Sequence, residues 1–426
     1  MKDSRKEIIS WSLYDWANSA FATTVMAAFF PIFFSQYWSY GADSAESTFF
    51  LGMGNSLASL LVAVMSPIIG AIADKGSYRK KLLILFAFLG AASTAGLFLV
   101  SMGMWPLAII LYVIANIGFA SANTFYDSLL PTIASEKKVD FVSSLGYSLG
   151  YIGGGLLFLL NVLMFLMPQT FGLADEIMAV RLSFLMVGAW WIVFSVPLLL
   201  FVKEPEGQRM KLSTAMKEGF GDLKNTLKSL RKLKNTAFFL VAYWCYIDGV
   251  DTIIRMATDY GTALGFSASS LIVALLITQF VAFPAALIYN MFGKKIGVKR
   301  ALLVAIAAYM IIACLGFFMT KESQFYALAV CIGLFQGGIQ ALSRSYFSRL
   351  IPEEESAQFY GFFNLLGKFA AIIGPLLLGI VTLITGQQKY GILSLIILFL
   401  AGFILLRKVD DSHIKDDIEK FREAKR

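Results

Sequence analysis

The chain has 426 residues, is 58% hydrophobic and only 15% charged, and has a mean hydropathy of +0.71; a soluble chain of this length carries about a quarter charged residues. Apolar runs long enough to cross a bilayer, which takes roughly 20 helical residues, follow one another almost end to end. Those runs and the low charge exclude a soluble globular protein, and the absence of strand-period alternation argues against a β-barrel, which leaves an all-α membrane protein.

Twelve transmembrane helices are predicted, at about residues 8–38, 48–73, 80–101, 105–131, 139–167, 178–202, 235–262, 268–292, 298–320, 323–351, 356–385 and 389–408. The formal charge of +8 would suit a nucleic-acid partner, but the position of the basic residues decides otherwise. With the N-terminus inside, 30 of the 36 Lys and Arg fall on the inner side. Three (Arg181, Lys321, Lys389) fall in outside loops and three (Arg255, Arg344, Lys368) within spans. Basic residues gather on the cytoplasmic side of membrane proteins, so both termini are predicted to be cytoplasmic. The basic excess then reports topology, with the lipid bilayer as partner and no nucleic acid.

The opening MKDSRKEIIS has the basic start of a signal peptide. The apolar stretch after it is too long, however, and runs straight into further spans, so an uncleaved first helix is predicted. There Asp15 and Asn18 share a face with Tyr14 beside them, near the inner end. After the second span comes GAIADKGSYRKK (70–81). Gly70 lets two helices approach closely. Asp74, at a helix end among cations that include Arg79, can form an ion pair that holds a gate; a basic loop serving topology alone is the alternative. In the fourth span Asn116, Asn123 and Asp127 fall at i, i+7 and i+11, one helix face. The fifth opens with FVSSLGYSLGYIGGG (141–155). No Lys-Ser/Thr follows its glycines, so they are not a phosphate loop and read as close packing or a bending point. Trp11, Tyr14, Trp16, Tyr147 and Tyr151 could line a cavity, or the tryptophans could anchor at the membrane interface.

Residues 203–234 are polar and have six spans on each side, dividing the chain into bundles at 1–202 and 235–408. Within the divider Leu212, Met216, Phe220, Leu223, Leu227 and Leu230 recur at spacings of three or four among Lys and Arg. That pattern predicts a basic amphipathic helix on the inner membrane surface. The seventh span holds YWCYIDGVDTIIRMATDYG (243–261), with Asp248, Asp251, Arg255 and Asp259 on one arc. Asp251 with Arg255, and Arg255 with Asp259, can pair along the helix. Asp248 lies about 20 Å from the inner end with no obvious partner on its own helix. A charge at the bilayer centre costs about 3 kcal/mol even on lenient scales. Asp248 and Asp251 are therefore candidate proton-coupling sites, against the alternative of a structural network.

In the tenth span Gln336, Gln340, Arg344 and Ser348 step by four. Arginine keeps its proton, so Arg344 needs an anion: a substrate carboxylate, or Asp15 or Asp127 across the bundle. In the eleventh, Asn364 and Lys368 form a pair at i+4. The cytoplasmic tail, 409–426, is polar, and its His413 reads as solvated. The three cysteines lie scattered in apolar spans and form no metal or disulfide pattern. No zinc, nucleophile–base or nucleotide motif is present. Neither an enzyme, a cofactor nor ATP-driven transport is expected.

The two halves look related. NTFYDSLLP (123–131) and SRSYFSRLIP (343–352) end corresponding spans, and DKGSYRKK (74–81) and GKKIGVKR (293–300) follow corresponding ones. Such a repeat is expected of a duplicated transporter. The segment at 70–81 resembles the cytoplasmic signature of the major facilitator superfamily, departing from it at Ser77 and Tyr78, where the family usually has Gly and Arg. Its second copy has Lys294 where the aspartate would be. YDWANSAF, FYDSLLP, SLGYSLGYIGGG, IDGVDTI and GGIQALSRS together resemble the unknown-major-facilitator family, bacterial relatives of the vacuole-effluxer-like permeases of fungi. The resemblance covers essentially the whole chain. It implies the major facilitator fold of two six-helix bundles, a cavity faced by spans 1, 4, 7 and 10, and secondary transport. The fungal branch is associated with amino-acid efflux.

The reading is of a monomeric, multi-pass secondary transporter of the bacterial cytoplasmic (inner) membrane, proton-coupled and exporting an amino acid or similar zwitterion. Asn18, Asn116, Asn123, Asp248, Gln336, Gln340, Arg344, Asn364 and Lys368 are the candidate substrate contacts. Asp15, Gly70, Asp74, Arg79, Asp127 and Arg255 are the candidate gate. The alternatives are an anionic or sugar-like solute bound by Arg344 and Lys368, or a transporter-like sensor that uses the 203–234 helix and tail to bind a partner.

Overall fold

The computed structural model describes residues 2–41, 44–204, 214 and 233–423; within them the side chains of 44–49, 55, 258–259, 262–263, 268 and 368–372 are not described. The amphipathic helix expected within 203–234, Asp259 and Lys368 therefore lie outside the described residues or side chains.

The described residues form helices and no strand. In chain order these are α1 (Arg5–Trp38), α2 (Ser44–Gly76), α3 (Arg79–Leu99), α4 (Trp105–Ile133), α5 (Val139–Leu166) and α6 (Glu176–Phe201). After the divider come α7 (Lys234–Ala263), α8 (Ala268–Ile296), α9 (Val298–Phe317), α10 (Glu322–Arg349), α11 (Ser356–Thr385) and α12 (Gln388–Arg407). A short α13 (Ile414–Glu423) ends the described chain. Among the described residues eleven of these helices are long and apolar enough to cross a membrane. The remaining expected span, 356–385, coincides with α11, of which Ile373–Thr385 is a shorter apolar stretch. Lipid offers the backbone no hydrogen bonds, so spanning segments must be helical. Pro67, Pro131, Pro197, Pro284 and Pro375 stand inside helices, where neighbouring helices can satisfy the groups they free. The first helix is irregular, with π-helical turns over Phe21–Phe29 and Phe34–Trp38.

Buried apolar side chains separate into a large cluster within residues 8–202, joined by Ala357, a second within 233–421, and a small third around Tyr260 and Phe325. Each half thus has its own core. The halves meet where α2 packs on α11 and where α5 packs on α8 and α10. Small residues make the first of these contacts possible: a Cβ on Gly70 would stand 2.4 Å from the Ala357 carbonyl oxygen, and one on Gly361 2.7 Å from that of Ser66. Close helix approach through glycine is a general device in membranes.

The two ends of the described chain lie together, since Lys2 and Arg422 pair with the adjacent Glu353 and Glu354. Asp3 N–H donates to Ile133 O and its carboxylate accepts from Ser135 N, fixing the N-terminal segment to the end of α4. The polar tail folds back over its described residues. Asp417 Oδ2 accepts from Asn235 Nδ2 at 2.9 Å, Phe421 is 1% exposed, and its ring packs against Phe359. The sequence carries a signal for this, since Ile414, Ile418 and Phe421 recur at helical spacing. His413 is exposed beside Asp410.

Candidate functional site

A cavity of about 350 Å³ lies between the halves, lined by α1, α4 and α5 on one side and α7, α8, α10 and α11 on the other. That volume is in the range of small-molecule sites, roughly 300–1,000 Å³. Its wall is polar where the sequence placed stripes. Asn18 Nδ2 donates to Asn123 Oδ1 at 2.5 Å, joining α1 to α4. Tyr151 OH donates to Gln340 Oε1 at 2.5 Å, and Gln279 Nε2 donates to Thr23 Oγ1 at 2.6 Å, each across the two halves. Asn364 Nδ2 reaches Thr124 Oγ1 at 3.3 Å. Gln336 also faces the cavity; its Oε1 is buried and has no hydrogen-bond partner among the described residues. The π-helical turns of α1 begin beside Asn18 and Ser19, so the irregular backbone borders the cavity. Such turns recur at functional sites.

One end of the cavity is closed by Arg344, which is 2% exposed. Its Nη1 lies 3.2 Å from Asp15 Oδ2 and 3.1 Å from Asp127 Oδ1, and its Nη2 reaches Asp15 Oδ2 at 3.2 Å. Nε donates to Ser143 Oγ at 2.9 Å and Nη2 to Ser143 O at 2.8 Å. The faces of Trp11, Tyr126 and Tyr147 stand 4.9, 5.3 and 4.2 Å from the guanidinium carbon, within cation–π range. Tyr126 OH donates to Asp15 Oδ2, and Trp11 Nε1 to Tyr126 O. Every one of these guanidinium partners belongs to the first half, although Arg344 belongs to the second. A Cβ on Gly146 would come within 2.6 Å of Asp15 Oδ2 and 3.0 Å of Arg344 Nη2. Only glycine leaves room for this cluster. Ser143, Tyr126 and Gly146 were not singled out as site residues from sequence, although Gly146, Tyr147 and Tyr151 share the SLGYSLGY repeat that frames them.

A second set of bonds closes the termini-bearing end. Arg79 Nε pairs with Asp74 Oδ1 at 2.7 Å, both nearly buried. Asp74 also accepts from Ala357 N at 3.1 Å and Gln358 N at 2.8 Å, capping the first turn of α11 from another helix. Arg79 Nη2 donates to the carbonyls of Glu353 and Glu354 in the α10–α11 turn. Motif and turn belong to opposite halves. Ser77, where the family signature usually has glycine, has φ +55°, the left-handed region that costs an L-residue about 1–2 kcal/mol.

Other predicted residues lie elsewhere. Asp248 does not line the cavity. It is 1% exposed, and both its carboxylate oxygens lie 2.9 Å from Gly374 N, with Thr252 Oγ1 at 3.4 Å. Gly374 precedes Pro375, where the α11 hydrogen-bond ladder is interrupted. Asp248 thus ties α7 to α11 within the second half. Asp251 has a polar partner, but no ion pair joins it to Arg255, which is exposed, so that expected pair is absent among the described residues. Helical spacing permits such a pair without compelling it. Asn116 points away from the cavity and donates to Tyr112 O, one turn back on α4. Trp11 is fully buried, and Trp16 stacks on Trp190 at 5.7 Å.

The sequence matches the family described as "Vacuole effluxer Atg22 like" over residues 37–419. The chain belongs to that family. It is 38% identical to an uncharacterized MFS-type transporter, YxiO, of Bacillus subtilis, across 98% of this chain and 97% of that protein. It is 25% identical to autophagy-related protein 22 of Yarrowia lipolytica, across 83% of this chain and 74% of that one. Among solved structures, the proton:xylose symporter XylE bound to 6-bromo-6-deoxy-D-glucose aligns with a TM-score of 0.73 at 13% identity over 95% of both chains. FucP in the outward conformation aligns with a TM-score of 0.72 at 14% identity, over 96% of this chain and all of that one. These likenesses show the fold alone. By its family and its 38% identical relative, the chain is an integral, multi-pass transporter of the major facilitator superfamily and not an enzyme.

Proposed function

We propose that this transporter moves a small zwitterion, an amino acid or close relative, out of the cell by proton-coupled alternating access. It would work as a monomer with twelve spans in the bacterial cytoplasmic membrane and both termini inside. The observation that carries the reading is a polar cavity at the junction of the halves, sealed at one end by a guanidinium from one half and two carboxylates from the other. The basic-residue distribution supports a cytoplasmic position for that sealed end. Rocking the halves apart there would strip Arg344 of every partner and leave Asp15 and Asp127 facing the cavity. A substrate carboxylate then answers Arg344, and an ammonium or a proton answers the aspartates. Asp248, held by Gly374, is displaced from the coupling role that its depth suggested; we assign proton uptake to Asp15 and Asp127.

The test is a flux assay on purified protein in liposomes with an imposed pH gradient and a panel of labelled amino acids and dipeptides. The expected result is proton-driven movement of at least one of them, kept in Asp248→Asn, with Asp127→Asn retaining exchange but losing accumulation. Movement of sugars or organic anions alone would establish the other solute class. Asp15 and Asp127 speak against an anion, because once freed from Arg344 they would face it as like charges. No movement of any solute would favour a sensor.

A further inference from the structure

The turn between α10 and α11 (Glu353–Glu355) receives the Asp74–Arg79 motif of the opposite half, and its own half grips it from below. Arg422 on α13 pairs in bidentate fashion with Glu354, Nε to Oε1 at 2.6 Å and Nη2 to Oε2 at 2.9 Å. Burial alone would raise the Glu354 carboxyl; the Arg422 hydrogen bonds and charge outweigh it and hold it below the usual glutamate range. The helix that carries Arg422 is itself anchored to the second half. Phe421 is buried on Phe359, Asp417 holds Asn235, Asp410 N donates to Asn235 Oδ1, and Tyr346 OH donates to Asp411. Lys2 of the first half takes the neighbouring Glu353 at 2.5 Å.

We propose that Arg422 and Glu354 are positioning residues of the cytoplasmic gate: α13 holds the 353–355 turn so that its backbone carbonyls face Arg79. The Arg422–Glu354 pair lies within one half, so it persists while the gate opens and closes. It acts through Arg79 and touches no solute. Without it the turn is free to rotate, and the two carbonyls lose the alignment that lets one guanidinium nitrogen serve both. The closed state is then weakened while the open state is unaffected. A polar tail with a buried face in this way becomes part of the gate.

This inference rests on the alternating-access reading but is independent of the solute. The test therefore measures conformation. Cys245, Cys314 and Cys331 are replaced, and spin labels are placed at Lys137 and Arg300, exposed residues at the termini-bearing end of opposite halves. The distance distribution of the full chain then reports how far that end is open. Arg422→Glu and Glu354→Arg should each raise the ratio of long to short distances roughly two- to fivefold, the range of an exposed ion pair. The double swap should return it towards that of the parent. An unchanged distribution in both single variants would overturn the proposal. So would a shift that the double swap fails to reverse, because α13 would then serve packing alone. A flux assay that finds no amino-acid movement would remove the zwitterion reading and leave this result standing.

Discussion

Arg344 and Asp248 are both charged residues buried in the membrane, yet their surroundings differ in one respect. The Arg344 guanidinium is held entirely by the opposite half, through Asp15, Asp127 and Ser143. Asp248 is held within its own half by the amide of Gly374 and the hydroxyl of Thr252. If the halves rock, the first set of bonds must break and reform in every cycle, whereas the second travels as a unit. Burial and charge alone therefore do not distinguish a moving part from a fixed one; the half to which the partners belong does. The same contrast separates the Asp74–Arg79 contacts with the 353–357 segment, which cross the junction, from Arg422–Glu354, which does not.

The sharpest way to break the comparison is to remove Arg344. Taking one partner from a buried charge pair costs about 3–5 kcal/mol, so Arg344→Ala should abolish transport and lower the thermal unfolding temperature. Arg344→Lys should restore little, since a single ammonium cannot serve two carboxylates and Ser143 in the fork geometry. Gly70→Ala comes next: its Cβ cannot share space with the Ala357 carbonyl, so α2 and α11 must separate. Spin-label distances across the termini-bearing end should lengthen. Asp248→Ala should remove the tie between α7 and α11 and cost about 1–3 kcal/mol in a thermal melt. Asp248→Asn keeps an acceptor oxygen and should cost less, with flux retained. The smallest effect is expected of Ser77→Gly, which relieves the left-handed backbone and should raise stability by about 1 kcal/mol.

Much of this was legible in the sequence. The helices follow from apolar length, the junction from the polar divider, and the closing motif from GAIADKGSYRKK with its glycine, aspartate and basic cluster. Arg344 announced itself because a guanidinium in a span demands an anion, and Asp15 and Asp127 were among the anions named. What escaped was whatever depends on which neighbour an element faces. Periodicity put Asn116 on the arc of Asn123 and Asp127, yet a slightly rotated or less deeply lined helix leaves it bonded to its own backbone. Depth made Asp248 look unpartnered, because its partner is a main-chain amide beside Pro375, and an amide carries no residue-type signal. The pairing of Asp251 with Arg255 was allowed by spacing, but exposed i,i+4 pairs are worth only a few tenths of a kcal/mol. The docked face of the tail was readable at Ile414, Ile418 and Phe421, and its polar composition masked it.

The most direct test of the distinction between a gate and a fixed tie is the label-to-label distance at Lys137 and Arg300, measured in Arg344→Gln and Asp248→Asn side by side. Arg344→Gln should shift the distribution strongly towards long distances, with the termini-bearing end open, while Asp248→Asn leaves it as in the parent. A strong shift in Asp248→Asn with none in Arg344→Gln would contradict it.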